Sequence, residues 1–199
     1  MAQIKVLVEG KHQKNGEKLE IGSTVTLIKT DKNIIVDPGY YPDKEKLLES
    51  LKNEGLSPED IDTVVLTHLH LDHIINVYLF PKAKIYCKLK SKDYSGQYQN
   101  IAEGYIVRAD ILDSLKLAKD VEFLLTPGHA DGHISLLVDT SEGKVVIAGD
   151  AIAKESLADI SKKPELFNNL EEYDNSRRKI LAIADFIIPG HGPMFKVKR

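Results

Sequence analysis

Apolar residues in this 199-residue chain come in short runs broken by polar or glycine-containing turns, a spacing that favours strands over long helices. Ile4–Val8 reads as a first strand, and Lys11–Lys18 (KHQKNGEK) as a polar turn or loop. Thr24–Lys29 and Asn33–Asp37 are β-rich runs flanking a turn at Thr30–Lys32, and Asp37-Pro38-Gly39 ends the second. The period then changes. Across Asp43–Glu54, Leu47, Leu48 and Leu51 fall at helical spacing, with Gly55 as the stop. Ser57 caps a short helical turn that Pro58 opens. Asp62–Thr67 (DTVVLT) has the unbroken apolar character of a buried strand. A histidine-rich segment and an apolar, helix-like stretch follow as far as Pro81, and Lys84–Lys88 is a further strand.

The pattern fades after residue 91 until Ala109–Ala118, which reads as a helix. Strands return near Val121–Leu125, Ile134–Asp139 and Lys144–Ala148; Glu171–Ala184 is a helix and Phe186–Ile188 a last short strand. Strand-rich segments with helices between them predict an α/β or α+β layered fold. No repeat, low-complexity tract or Pro/Ser-rich linker interrupts it, which predicts one domain over residues 1–199.

Composition narrows the classes of function. An apolar share of 42% with 29% charged residues is that of a globular chain. A formal net charge of −3 supplies no global basic field to recruit nucleic acid, although bound metal would supply a local one. The single cysteine, Cys87, excludes an internal disulfide framework and suits a reducing compartment. Neither the opening segment nor any later stretch has the apolar run of a signal peptide or a membrane span, so a cytoplasmic protein is expected.

The chemistry concentrates after the buried strand, in Thr67-His68-Leu69-His70-Leu71-Asp72-His73. Imidazoles and carboxylates are the ligands of hydrolytic zinc, manganese or iron sites. His68 and His70, two apart on extended chain, point the same way and can share one ion. Asp72 and His73 follow as the chain turns and project towards a second. A lone buried histidine is usually a hydrogen-bonded core residue, but three histidines and an aspartate within six positions are hard to explain so. Three further segments share one grammar, an apolar strand followed by a glycine and a potential ligand: FLLTPGH ending at His129, KVVIAGD at Asp150 and FIIPGH at His191. Each is weak alone, since Gly-Asp after a strand is ordinary turn chemistry. With the histidine cluster they absorb five of the seven histidines and leave only His12 and His133.

HxHxDH, TPGH, GD and PGHG in that order resemble the motif series of the metallo-β-lactamase superfamily, from about Asn33 to the C-terminus. The resemblance implies a four-layer αββα sandwich of the α+β class, with metals at one edge. It implies that His68, His70 and His129 hold one metal, that Asp72, His73 and His191 hold another, and that Asp150 bridges them. Two divalent cations are expected, zinc first with Mn2+ or Fe2+ as alternatives. The resemblance further implies that these cations would supply a hydroxide able to attack an ester, thioester, lactone or phosphodiester, with Asp72 able to orient it as the catalytic residue.

Within the superfamily, Thr67–Lys82, Ile147–Asp150 and especially SRRKILAIADFIIPGHGPMFKV (Ser176–Val197) resemble the branch typified by metallo-β-lactamase domain-containing protein 1. The Ala130–His133 loop is more lactonase-like. Flavodiiron proteins, β-CASP nucleases and glyoxalase II fit less well: His70 replaces an acidic residue, no large insertion is present, and Ile74-Ile75-Asn76 follows the DH pair. The partners expected are a small ester or phosphodiester substrate, single-stranded RNA as the endoribonuclease alternative, and a second copy of the chain as a homodimer. A mononuclear iron persulfide dioxygenase is a further alternative. A non-catalytic scaffold is disfavoured because every ligand position is filled. His133 is read as a buttress of the TPGH loop ahead of a place on the site's rim, His12 as part of a solvated loop ahead of a substrate-covering role, and Arg177-Arg178-Lys179 as a charged helix face rather than a phosphate patch. Tyr94, Tyr98 and Tyr105 are read either as a substrate rim or as local packing.

Overall fold

Successive residues of the central strands face different apolar layers, so both faces of each sheet are covered. The computed structural model describes residues 1–88, 97–100, 105–108 and 116–198. Its strands begin with β1 (Gln3–Val8), β2 (Lys11–Asn15), β3 (Lys18–Gly22), β4 (Val25–Lys29) and β5 (Asn33–Val36). Helix α1 (Lys44–Asn53), β6 (Thr63–Val65), α2 (Leu71–Ile74) and β7 (Lys84–Tyr86) follow. Next come β8 (Gln97–Asn100), β9 (Tyr105–Arg108), β10 (Lys116–Ala118), β11 (Val121–Leu125), β12 (Ile134–Thr140) and β13 (Gly143–Gly149). Helix α3 (Leu170–Ile183), β14 (Phe186–Pro189) and β15 (Phe195–Lys196) end the chain.

One sheet runs β1-β4-β5-β6-β7 and the other β10-β11-β12-β13-β14-β15. Between them Ile34, Val36 and Val65 of the first meet Leu136, Val145, Ile147 and Ile188 of the second. Their neighbours in sequence point outward. Ile35 and Val64 pack with Leu47 and Leu51 of α1. Val146, Ala148 and Ile187 pack with Ile180 of α3. The four layers are thus helix, sheet, sheet, helix, the sandwich expected from the motif series.

The site follows from the parallel pairs. β5 and β6 are parallel, as are β13 and β14, so each pair ends at the same edge. Register Val36↔Val65 sets Asp37 beside the loop that begins at Leu66. Register Gly149↔Pro189 sets Asp150 beside Gly190-His191.

Four expectations change. Lys11–Lys18 is a hairpin rather than a loop: β2 pairs with β3 in register Asn15↔Lys18, and Gly16 at φ 62° opens the two-residue turn. Most of its side chains are exposed, which removes the apolar alternation that marks a strand. The stretch after His70 is not one helix but the four-residue α2 followed by a 3₁₀ turn at Ile75–Leu79. Asn76 breaks it inward, where its buried side-chain amide donates to the Tyr40 carbonyl at 2.6 Å. Of the helix read at Ala109–Ala118, residues 109–115 lie outside the described ones and Lys116–Ala118 is strand β10, paired with β11. The short strand β15 was hidden by its length of two residues. The side chains of Tyr94, Tyr98 and Tyr105 also lie outside the described residues. No described helix is long and apolar enough to cross a membrane.

Candidate metal centre

Where the two parallel pairs end, the structure brings all seven singled-out side chains together. The ligand atoms of His68, His70, His129 and Asp150 lie within 4.8 Å of one another, and those of Asp72, His73 and His191 do likewise. All are buried except His70, which is exposed, and Asp72, which is half-buried. Asp150 faces both groups with different oxygens. Its Oδ2 is 3.3 Å from His129 Nε2, and its Oδ1 is 3.3 Å from His191 Nε2 and 3.6 Å from His73 Nε2.

The hydrogen-bond network fixes which imidazole nitrogens point inward. Asp37 only accepts, so Thr67 Oγ1, at 2.7 Å, spends its proton on Asp37 Oδ2. Thr67 Oγ1 then accepts from His68 Nδ1 at 3.0 Å. His73 Nδ1 donates to the same carboxylate oxygen at 2.8 Å. His129 Nδ1 donates to the Leu166 carbonyl at 3.1 Å and His191 Nδ1 to the Gly22 carbonyl at 2.9 Å. In each case Nε2 faces the centre, where it offers its lone pair once deprotonated, the tautomer a metal ligand needs. His70 differs and presents Nδ1, 2.9 Å from His68 Nε2 and 3.1 Å from His129 Nε2. Ligand atoms about 2.0–2.1 Å from one tetrahedral zinc stand about 3.3 Å apart, close to these separations.

A second observation tests the fit. Asp72 Oδ2, His73 Nε2 and Asp150 Oδ1 are buried with no hydrogen-bond partner among the described residues. Orphaned buried polar atoms are costly, and here they converge on one point. A cation there satisfies all of them at once.

Charge follows geometry. Burial lowers His68 well below the ordinary imidazole value, and burial likewise lowers His129. Burial pulls His73 down too, but Asp37, Asp150 and Asp72 outweigh it and raise the group to about 9. His191 is raised in the same way by Asp150 against burial. Burial alone would raise Asp150, yet His73 and His191 hold it well below the usual carboxylate range.

The strand–glycine–ligand grammar has a steric basis. A Cβ on Gly190 would fall on Asp150 Oδ1. One on Gly149 would stand 2.7 Å from Thr67 Oγ1, and one on Gly128 would strike the Tyr173 backbone. Gly149 and Gly128 also have φ of 51° and 119°.

Sequence reasoning missed two supports. Asp37 is the carboxylate behind His73 and Thr67, signalled only by the DPG that ends its strand. Its φ of 50° is tolerated by aspartate. Tyr173 donates its hydroxyl to the Asp150 carbonyl at 2.8 Å, a link no motif announces. His133 is where a buttress belongs: its Nδ1 is 2.9 Å from Thr126 Oγ1, and burial lowers it to about 3. His12 is not in a solvated loop. It lies in β2 opposite Ile21, its ring 5.7 Å from that of His191, and both residues line the cavity beside the centre. That cavity has a volume of about 200 Å³, with Leu157, Leu166 and Tyr173 among its walls. Arg177 is 1% exposed and belongs to no charged helix face; only Arg178 and Lys179 are exposed.

The sequence pattern of the Metallo-beta-lactamase superfamily matches residues 20–191. The chain belongs to that superfamily and is one of its metal-dependent hydrolases. It is 39% identical over 196 residues to Metallo-beta-lactamase domain-containing protein 1 of Xenopus laevis, spanning 98% of this chain and 81% of that one. The mouse protein of the same name is 37% identical, and the match spans 83% of this chain but 62% of the mouse chain. The crystal structure of a candidate metallo-beta-lactamase from Thermotoga maritima superposes with a TM-score of 0.71 at 30% identity, covering 98% of this chain and 99% of that one. An N-acyl homoserine lactonase of Bacillus cereus is 30% identical over 128 residues, 59% of this chain and 49% of its own.

Proposed function

We propose that the chain is a dinuclear metal-dependent hydrolase of small carboxylic esters, with lactones the substrate class of first choice. His68, His70 and His129 would hold one cation, Asp72, His73 and His191 the other, and Asp150 would reach both through its two oxygens. The convergence of three orphaned buried atoms, Asp72 Oδ2, His73 Nε2 and Asp150 Oδ1, carries this reading. Zinc is the ion of choice for four imidazole Nε2 atoms with carboxylates, and the fold over residues 1–199 acts as one domain.

A pair of divalent cations at these residues supplies an acidified water and a Lewis-acid partner for the ester carbonyl. The chain supplies the rest. Asp72, half-buried on α2 and lining the cavity, accepts a hydrogen bond from the attacking water and orients it as the catalytic residue. Asp37 keeps the His73 ring aimed, and Thr67 does so for His68. Leu157, Leu166 and Ile21 give the cavity an apolar lining for the substrate's hydrocarbon part. Tyr173 holds the Asp150 backbone at the cavity floor. The lactonase relative supports an ester-type substrate over RNA.

The test is metal analysis of the purified chain together with turnover of a lactone panel and a single-stranded RNA, with Asp150→Ala alongside. Two ions per chain and lactone turnover that vanishes in the variant are expected. One iron per chain with oxygen consumption would overturn the reading, and RNA cleavage alone would move the chain to the nucleases.

A further inference from the structure

Arg177 is fully enclosed, yet it serves neither the metal cluster nor the solvent. Its Nη1 donates to the carbonyls of Leu157 (2.8 Å), Asp159 (3.2 Å) and Lys162 (3.1 Å). Its Nη2 donates to the Ile160 carbonyl at 3.3 Å and to Asp174 Oδ1. The gripped segment runs from a 3₁₀ turn at Glu155–Ala158 into irregular chain, where regular structure satisfies few carbonyls. A planar, permanently charged donor fork is the side chain that can bind several carbonyls at once, and lysine cannot reproduce it. The segment also has a second role. Leu157, Lys162, Lys163 and Pro164 line the same cavity as Asp150.

The same helix face ties down two other parts of the site. Tyr173, Ser176 and Arg177 stand at i, i+3 and i+4 on α3 and are all buried. Tyr173 holds Asp150, and Ser176 Oγ donates to the Pro127 carbonyl at 2.7 Å, two residues before His129. Tyr173 and Ser176 therefore act on the loops that carry candidate ligands, while Arg177 acts on the wall alone. The guanidinium carbon lies 5.3 Å from the Tyr173 ring centroid, a cation–ring contact that helps seat the fork.

We propose that Arg177 is a positioning residue that sets substrate selectivity: by gripping four carbonyls of segment 157–162 it fixes how large a group the cavity admits beside the metal centre. The inference rests on the reading that this cavity receives the substrate. It assigns a role in substrate fit to a buried cation 27 residues after Asp150 that touches neither substrate nor metal.

The experiment compares wild type, Arg177→Lys, Asp174→Asn and Leu157→Ala, all zinc-loaded, on 4-nitrophenyl acetate and 4-nitrophenyl octanoate, with metal content and amide hydrogen exchange measured in parallel. In Arg177→Lys, KM for the octanoate ester is expected to rise roughly tenfold, with KM for the acetate and both kcat values within about twofold. Bound metal stays at the wild-type level and exchange speeds up across residues 157–163 only. Asp174→Asn, which leaves the guanidinium without its carboxylate, gives the same split at about threefold. Leu157→Ala shifts the acetate-to-octanoate KM ratio with Arg177 intact. A uniform fall for both esters that follows the folded fraction overturns the inference, and so does loss of metal. If Arg177→Lys does not fold, unchanged KM ratios in the other two variants overturn it equally. Wild-type protein inert toward both esters overturns the substrate reading of the cavity and this inference with it, whereas wild-type turnover with unmoved ratios overturns this inference alone.

Discussion

His68 and His129 lean on a threonine hydroxyl and a backbone carbonyl, and exposed His70 sets its Nδ1 against the Nε2 atoms of His68 and His129. His73 and His191 instead stand with Asp72 and Asp150 in front of them, and a third carboxylate, Asp37, behind His73. In the first group burial lowers His68 and His129 and so favours their neutral forms. The other carries so much buried negative charge that His73 holds a proton up to about pH 9 in the cation's place. The difference teaches that two adjoining ligand clusters need not be electrostatically alike. The carboxylate-rich group stores the electrostatic attraction, while both groups reach the cavity, one through His70 and His129 and the other through Asp72 and His191.

The sharpest way to break this comparison is at Asp150, the one residue both groups share. Asp150→Ala is expected to lower hydrolysis by about a thousandfold or more and to reduce bound metal below two per chain, read by turnover and elemental analysis. Full activity with one ion would mean that the two groups do not work together. Asp37→Asn comes next, because it weakens one group and spares the other. One of two metal equivalents should lose affinity by about 10–100-fold in a chelator competition, with the other equivalent unmoved. Equal loss at both would show that Thr67 transmits the change to His68.

Acidity sharpens the contrast in the chelated protein. Between pH 6.5 and about 9 folded His73 keeps a proton that the unfolded chain releases, so its stabilisation is full below 6.5 and is lost as pH rises through 9. His133, lowered to about 3, works the other way: the unfolded chain takes up protons below 6.5 that the folded one refuses, so stability falls with pH. His68 and His129 have the same sign as His133. Melting temperature in chelator should therefore peak near the ordinary histidine value; a profile that climbs steadily from pH 6 to 9 would contradict the charged state assigned to His73. The smallest effect is Tyr173→Phe. Loss of its buried hydrogen bond to the Asp150 carbonyl should cost about 1 kcal/mol in chemical denaturation, with metal content preserved.

The candidate ligands were legible because each is announced locally. His129, Asp150 and His191 each follow an apolar strand and a glycine, and the glycines are needed where a Cβ would collide with the neighbouring support. The layers were legible for a similar reason, since Ile34-Ile35-Val36 and Val145-Val146-Ile147 are apolar on both faces. What stayed hidden depends on distant partners. Asp37 meets His73 across 36 residues, and Arg177 binds backbone carbonyls, which carry no sequence signature. The β2–β3 hairpin was hidden by its own solvation. His12 was misread with it, because only the pairing with Ile21 turns that side chain toward the cavity.

That hairpin forms a two-stranded sheet of its own, hydrogen-bonded into neither large sheet. Its base is fastened at Gly22, whose carbonyl accepts from His191, while its tip at Gly16 has open space around it. A piece anchored at one end, with its inner edge bordering the cavity, behaves as an exchangeable part. If the cavity receives the substrate, a hairpin of another length or tip grafted at this position is expected to change which molecules fit while leaving the seven clustered side chains in place.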